Sequence, residues 1–95
     1  MFEFEWDEKK NKINIEKHGL PFDFAKYVFD DSEFVRFVDN KKNYNEDRYI
    51  CFGVVEDVLF SVSYTIRNNA IRLISFRRAR QKELNKMLEI GGQNE

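Results

Sequence analysis

Only the dipeptide Glu56-Asp57 and a short turn centred on Asn68-Asn69 interrupt a strand-like run from Arg48 to Phe76. Connections this short join neighbouring antiparallel strands, because a parallel pair needs a crossover of about a dozen residues or more. Arg48–Val55, Val58–Ile66 and Ile71–Phe76 therefore read as consecutive strands of an antiparallel meander. Asparagine tolerates the left-handed backbone that such turns demand, whereas Glu56-Asp57 lacks the usual glycine. Strict alternation sorts the middle strand. Val58, Phe60, Val62 and Tyr64 share a face predicted to be buried, and Leu59, Ser61, Ser63 and Thr65 share the other. In the last strand Ile71 and Leu73 oppose Arg72 and Ile74, which predicts one basic face.

The flanks add helices. Residues 2–6 alternate as a short strand, Asp7 is a natural N-cap, and Glu8–His18 reads as a helix stopped by Gly19. Its only aliphatics are Ile13 and Ile15, which predicts a surface helix. Leu20-Pro21 opens a second helix with a stripe at Phe22, Ala25, Val28 and Phe29, ended by Asp30-Asp31-Ser32. Residues 33–38 read as a strand, and Asp39–Asp47 as a long polar loop. Ala79–Ile90 reads as an amphipathic helix with Leu84, Met87 and Leu88 on one face, stopped by Gly91-Gly92. The order β-α-α-β-β-β-β-α gives an α+β class: a mostly antiparallel sheet, two N-terminal helices and one C-terminal helix.

Ninety-five residues predict one domain spanning 1–95. Fifteen aromatics (ten Phe, four Tyr, one Trp) exclude a disordered chain, which could not offset its ordering entropy. The lone cysteine, Cys51, excludes an internal disulfide and suits a reducing compartment. One Cys and one His make tetrahedral zinc implausible, and a carboxylate magnesium site stays open but has no signature, so no metal or cofactor is expected. Residues 1–7 are acidic and alternating, unlike a secretory signal, and no apolar run approaches a membrane span. The expected location is the cytoplasm, with no membrane partner.

The net charge of −1 conceals a division. Residues 1–61 carry nine Lys and Arg against fourteen Asp and Glu, and residues 62–95 carry seven against three. All seven cations of that second part lie between Arg67 and Lys86, and five are arginine, the side chain that forks onto phosphate. A local patch of this kind matters more to a polyanion than the overall balance.

Certain residues resemble a known family. Phe4-Glu5-Trp6-Asp7, Asn14-Ile15-Glu16-Lys17-His18-Gly19, Glu46-Asp47-Arg48 with Gly53, and Tyr64-Thr65-Ile66-Arg67 follow its order and spacing. So do Ile71-Arg72-Leu73-Ile74-Ser75-Phe76-Arg77-Arg78-Ala79 and Glu83. On these the chain resembles the BrnT toxins of bacterial type II toxin–antitoxin pairs. It departs from them at Phe76, where alanine is common, and in having no aromatic after Phe76. The resemblance implies a RelE-like fold and a ribonuclease. It further implies a BrnA-type ribbon-helix-helix antitoxin and operator DNA bound only through the toxin–antitoxin complex; separately, an aliphatic patch on the first two helices offers a surface for a dimer within that complex.

RNA is cut without a metal when its 2′-oxygen attacks the adjacent phosphorus. That step needs a proton acceptor, a proton donor and cations for the added negative charge. Arg77, with Arg72 or Arg48, is the expected phosphate clamp, and Arg67 and Arg78 are further RNA contacts. Any one of these arginines equally suits a non-catalytic module gripping an acidic partner or nucleic acid, but the cluster as a whole favours the clamp. His18 is the only side chain ordinarily titrating near neutrality, so it is the proton-transfer candidate; it also suits a helix end stabilised by the dipole. Lys17 supplies charge or a base, or is solvated. Glu46 acts as a base or, more simply, orients Arg48. Tyr64 either stacks a base or, by strand phase, belongs to the core. Trp6 reads as a core anchor, Cys51 as a buried hydrophobe, and Glu83 as a partner for a nearby arginine.

Overall fold

The computed structural model describes residues 3–31, 35–39 and 46–93. Its five strands are β1 (Glu3–Glu5), β2 (Val35–Val38), β3 (Tyr49–Val55), β4 (Val58–Arg67) and β5 (Ala70–Arg78), and they form one sheet in the order β1-β5-β4-β3-β2. The helices are α1 (Glu8–His18), α2 (Lys26–Phe29) and α3 (Gln81–Gln93), the last starting two residues later than expected and running through Gly91-Gly92, which do not stop it. The expected loop over Asp39–Asp47 lies mostly outside the described residues.

The meander forms as its turns dictate. Glu56, Asp57, Asn68 and Asn69 all adopt positive φ, of 49°, 67°, 51° and 66°. Two successive left-handed residues twist the chain in the sense that continues antiparallel strands. β2, β3, β4 and β5 pair antiparallel in that order.

Three features correct the expected architecture. The sheet is mixed, because β1 lies parallel to β5, with Glu3, Phe4 and Glu5 opposite Ala70, Ile71 and Arg72. No local turn announces that pairing, since the rest of the chain separates the two strands. The second N-terminal helix is instead a 3-10 turn, Phe22–Ala25, running into the single α-helical turn of α2. Phe22 and Ala25, three apart, both enter the core, and Asn11 Oδ1 accepts the Phe22 N–H at 2.8 Å. Finally, the β4–β5 register shifts between Ser63 and Tyr64: Ser63 faces Ser75 while Tyr64 faces Leu73. Ile74 is the extra residue of a β-bulge, and side-chain alternation reverses there. Ile71, Leu73 and Phe76 consequently all point to the core. Arg77, out of phase with Arg72 in an unbroken strand, joins the Arg72 face.

That core lies on one side of the sheet, where Phe22, Ala25, Val28 and Phe29 meet Cys51, Phe60, Val62, Tyr64, Leu73 and Phe76. Each large side chain buried there contributes about 1.5–3 kcal/mol over its exposed state. Trp6 packs against this cluster and Cys51 is fully buried, both as expected. Gly53 lets α2 approach, because a Cβ there would lie 2.7 Å from the Val28 carbonyl oxygen.

α1 keeps its predicted limits and caps. Asp7 accepts the Lys9 N–H at 2.8 Å, and Gly19 closes the helix at φ 68°. Ile13 and Ile15 are exposed, and the buried residue of α1 is the polar Asn14. Asn14 engages the backbone of Phe76 in β5, beyond the reach of the short β1. α1 thus runs beside β5 in the direction of β1, and its last turn lies toward the Arg77 end.

Candidate functional site

The second face of the sheet is built in rows by the register. Glu5, Arg72 and Thr65 form one row; Ser75, Ser63, Ile50 and Phe37 the next; Arg77, Ser61, Phe52 and Val35 a third. Arg48 precedes Tyr49, which stacks on Tyr64 in the core, so Arg48 belongs with the Arg72 row. Small hydroxyl side chains therefore floor the middle of the face, and arginines stand at both ends. The Arg72 and Arg77 rows are four β4 residues apart, roughly 13 Å.

Each end is held by a carboxylate. At one, Arg67 donates from Nη2 and Nε to Glu46 Oε1 at 2.6 and 3.1 Å, and Arg48 Nε lies 3.8 Å from Glu46 Oε2. The Thr65 hydroxyl donates to the Asp47 carbonyl at 2.5 Å, which fastens this loop end to β4. The Arg67 hydrogen bond holds the Glu46 carboxyl below its ordinary range. A carboxylate so held is a weak base at neutral pH and a good orienting group. Arg72 donates from Nη1 to Glu5 Oε2 at 2.8 Å.

At the other end, Arg77 donates from Nη1 and Nη2 to the two oxygens of Glu83, at 2.7 and 2.9 Å. Glu83 Oε1 also accepts the Arg80 N–H at 2.7 Å, as a capping carboxylate in the first turn of α3. The Arg77 bonds lead in lowering the Glu83 pKa to about 2. Among the described residues Arg77 retains a second fork, Nε–H with the remaining Nη2–H, without a partner.

The expected site residues are distributed as follows. Arg48, Arg67, Arg72, Arg77 and Glu46 share the second face. Arg78 faces Phe60 in register and stands exposed on the other side of β5. Tyr64 is buried, stacked on Tyr49 at 5.5 Å and edge-on to Phe29 at 5.2 Å, and burial pushes its hydroxyl pKa up. Lys17 and His18 are exposed in the last turn of α1, and among the described residues no hydrogen bond or ion pair joins His18 to an arginine. Burial also pushes the Cys51 thiol up to about 12, which leaves it inert. Glu5 was missed by the sequence reading, because only the β1–β5 pairing brings it to Arg72.

No group of three or more potential metal ligands occurs among the described residues, and none of their helices is long and apolar enough to cross a membrane. A search of curated proteins finds no match. A family model described as the ribonuclease toxin BrnT of type II toxin–antitoxin systems matches residues 6–83. The match includes α1, β2 to β5 and the Arg77–Glu83 pair. This chain belongs to the BrnT family of ribonuclease toxins of type II toxin–antitoxin systems.

Proposed function

We propose that the chain is a metal-independent endoribonuclease whose second sheet face holds the scissile phosphate. The 2′-oxygen attacks phosphorus, the P–O5′ bond breaks, the 2′ proton passes to a base, and the departing 5′-oxygen takes up a proton. The observation carrying this reading is the Arg77 guanidinium. Glu83 fixes its orientation through one fork and leaves the second fork open on the face that also bears Arg72. A guanidinium positioned before the reaction stabilises the phosphorane without reorganising. Arg72 and Arg48 supply further charge, and Glu46 orients Arg48 and Arg67. His18 moves the proton, with Lys17 beside it; the course of α1 toward the Arg77 end of β5 supports that role. A ribbon-helix-helix antitoxin of the BrnA type neutralises the toxin, and the pair represses its own operator; the family resemblance supports this part.

The test uses purified chain freed of its partner, with RNA and a chelator. Cleavage is expected, and a 2′-deoxy substitution at the cut site should abolish it because the nucleophile is gone. Cutting of the deoxy substrate would defeat the mechanism. A non-catalytic module would bind RNA with strong salt dependence and never turn it over.

A further inference from the structure

Beside the serine floor, α3 and strands β2 and β3 enclose a groove of about 430 Å³. Phe37, Ile50 and Phe52 form its floor, and Arg80, Lys82 and Lys86 its cationic wall. Phe37 and Phe52 meet edge to face at 6.0 Å, and Lys86 Nζ lies 5.5 Å from the centre of the Phe37 ring. Of the two acids lining the groove, Asp39 and Glu83, the second is paired with Arg77. The register places Ile50 beside Ser63, and Phe52 two strands from Arg77, roughly 10 Å away. The groove is thus continuous with the arginine face.

The geometry points to this groove as the seat of the RNA strand next to the phosphate that is cut, an inference that rests on the nuclease reading above. Aromatic and apolar side chains interleaved with cations suit single-stranded nucleic acid, whose bases lie against the floor while its phosphates meet the wall. The second groove along α3 shares Phe52 but lacks the cationic wall. It is larger, about 860 Å³, lined by Val54, Leu84 and Leu88, and its single cation, Arg78, shares the rim with Asp31 and Asp57. A polyanion is drawn to the first groove and not to the second. Lys82 and Lys86 touch phosphates whose charge does not change during the reaction, so they contribute binding that is equal in the ground and transition states.

The experiment compares the full chain with K82A/K86A and with R77A. The probe is a 2′-O-methyl RNA decamer, which cannot be cut, and a matching cleavable RNA supplies turnover. K82A/K86A should bind the probe on the order of tenfold more weakly, with the salt slope reduced by about 1.4, or about 0.7 per lost phosphate contact. KM for the cleavable RNA should rise while kcat holds. Both lysines are exposed, so beyond the small loss of the Lys86–Phe37 ring contact the melting temperature should stay close to that of wild type. Unchanged affinity and slope, with R77A still abolishing cleavage, would overturn the groove assignment and leave the nuclease reading standing. Weakened probe binding in a chain that cuts no RNA would support the groove and remove the proposed activity. Unchanged RNA behaviour with lost antitoxin neutralisation would give the groove to a protein partner and overturn the assignment.

Discussion

Asn14 takes both backbone groups of Phe76: its Oδ1 accepts the Phe76 N–H at 3.0 Å, and its Nδ2 donates to the Phe76 carbonyl at 2.8 Å. The same Nδ2 donates to the Leu20 carbonyl at 2.8 Å. A side-chain amide thus substitutes for a missing strand where β1 ends, and it fixes α1 to the sheet. Asn14→Ala orphans a buried N–H and a buried C=O, each worth about 1–3 kcal/mol. A thermal melt should show a loss of several degrees or more. Asn14→Asp should be no better near neutral pH, because a carboxylate cannot donate to either carbonyl. Retention of full stability by either variant would mean that α1 is held by other contacts.

Gly53→Ala places a methyl group 2.7 Å from the Val28 carbonyl oxygen and 2.9 Å from Val28 Cγ1. The first neighbour is backbone, so α2 must lift from β3. Overpacking of this kind costs about 1–3 kcal/mol. Chemical denaturation would measure it, and a neutral result would show that α2 yields freely.

The hairpin turn at Glu56-Asp57 holds two non-glycine residues at positive φ. Asp57→Gly relieves that strain and should stabilise the fold by about 0.5–1 kcal/mol, read as a raised melting temperature. A lowered one would indicate that the Asp57 side chain contributes more than its backbone costs.

The Glu83 pKa is lowered from 4.5 to about 2, chiefly by hydrogen bonds to Arg77. A depressed carboxyl stabilises the fold fully above the unfolded value and ceases to do so as pH falls through the folded one. Wild type should therefore exceed Glu83→Gln by a constant margin, about 1 kcal/mol after solvent screening, from pH 7 to pH 5. The margin should shrink as pH falls from about 4.5 toward about 2. A gap that widened on acidification would contradict the assigned pair.

Arg77→Ala should lower kcat and kcat/KM together, by about 10²–10³-fold, because the open fork acts on charge that appears during reaction. Arg77→Lys retains the charge but not the fork, and should recover only a small part of the rate. Arg67→Ala should cost less, since both bonds of that guanidinium go to Glu46. Equal losses at Arg67 and Arg77 would argue against the special place given to Arg77.

Local chemistry made much of this legible. The meander, its two turns, the caps of α1 and the partner of Arg77 follow from residues close in sequence. The parallel β1–β5 pairing does not, because it spans the chain and has no turn to announce it. For the same reason Glu5 could not be matched to Arg72. α1 was correctly read as a surface helix, but its anchor is an amide and not an aliphatic stripe. Alternation identifies a basic face through Arg72 but assigns no side to Arg77, which lies beyond the predicted strand, and one extra residue at Ile74 is invisible to a period of two.

That single unpaired residue gives the end of β5 a reading frame of its own. Drawing Ile74 into the ladder would trade the sides taken by Phe76 and Arg77, burying a guanidinium among rings and turning a phenyl group outward, whereas deleting it would leave both where they are. The packing of Phe76 and the placement of Arg77 are thereby coupled through one bulge, so a slip of the ladder there loses both together.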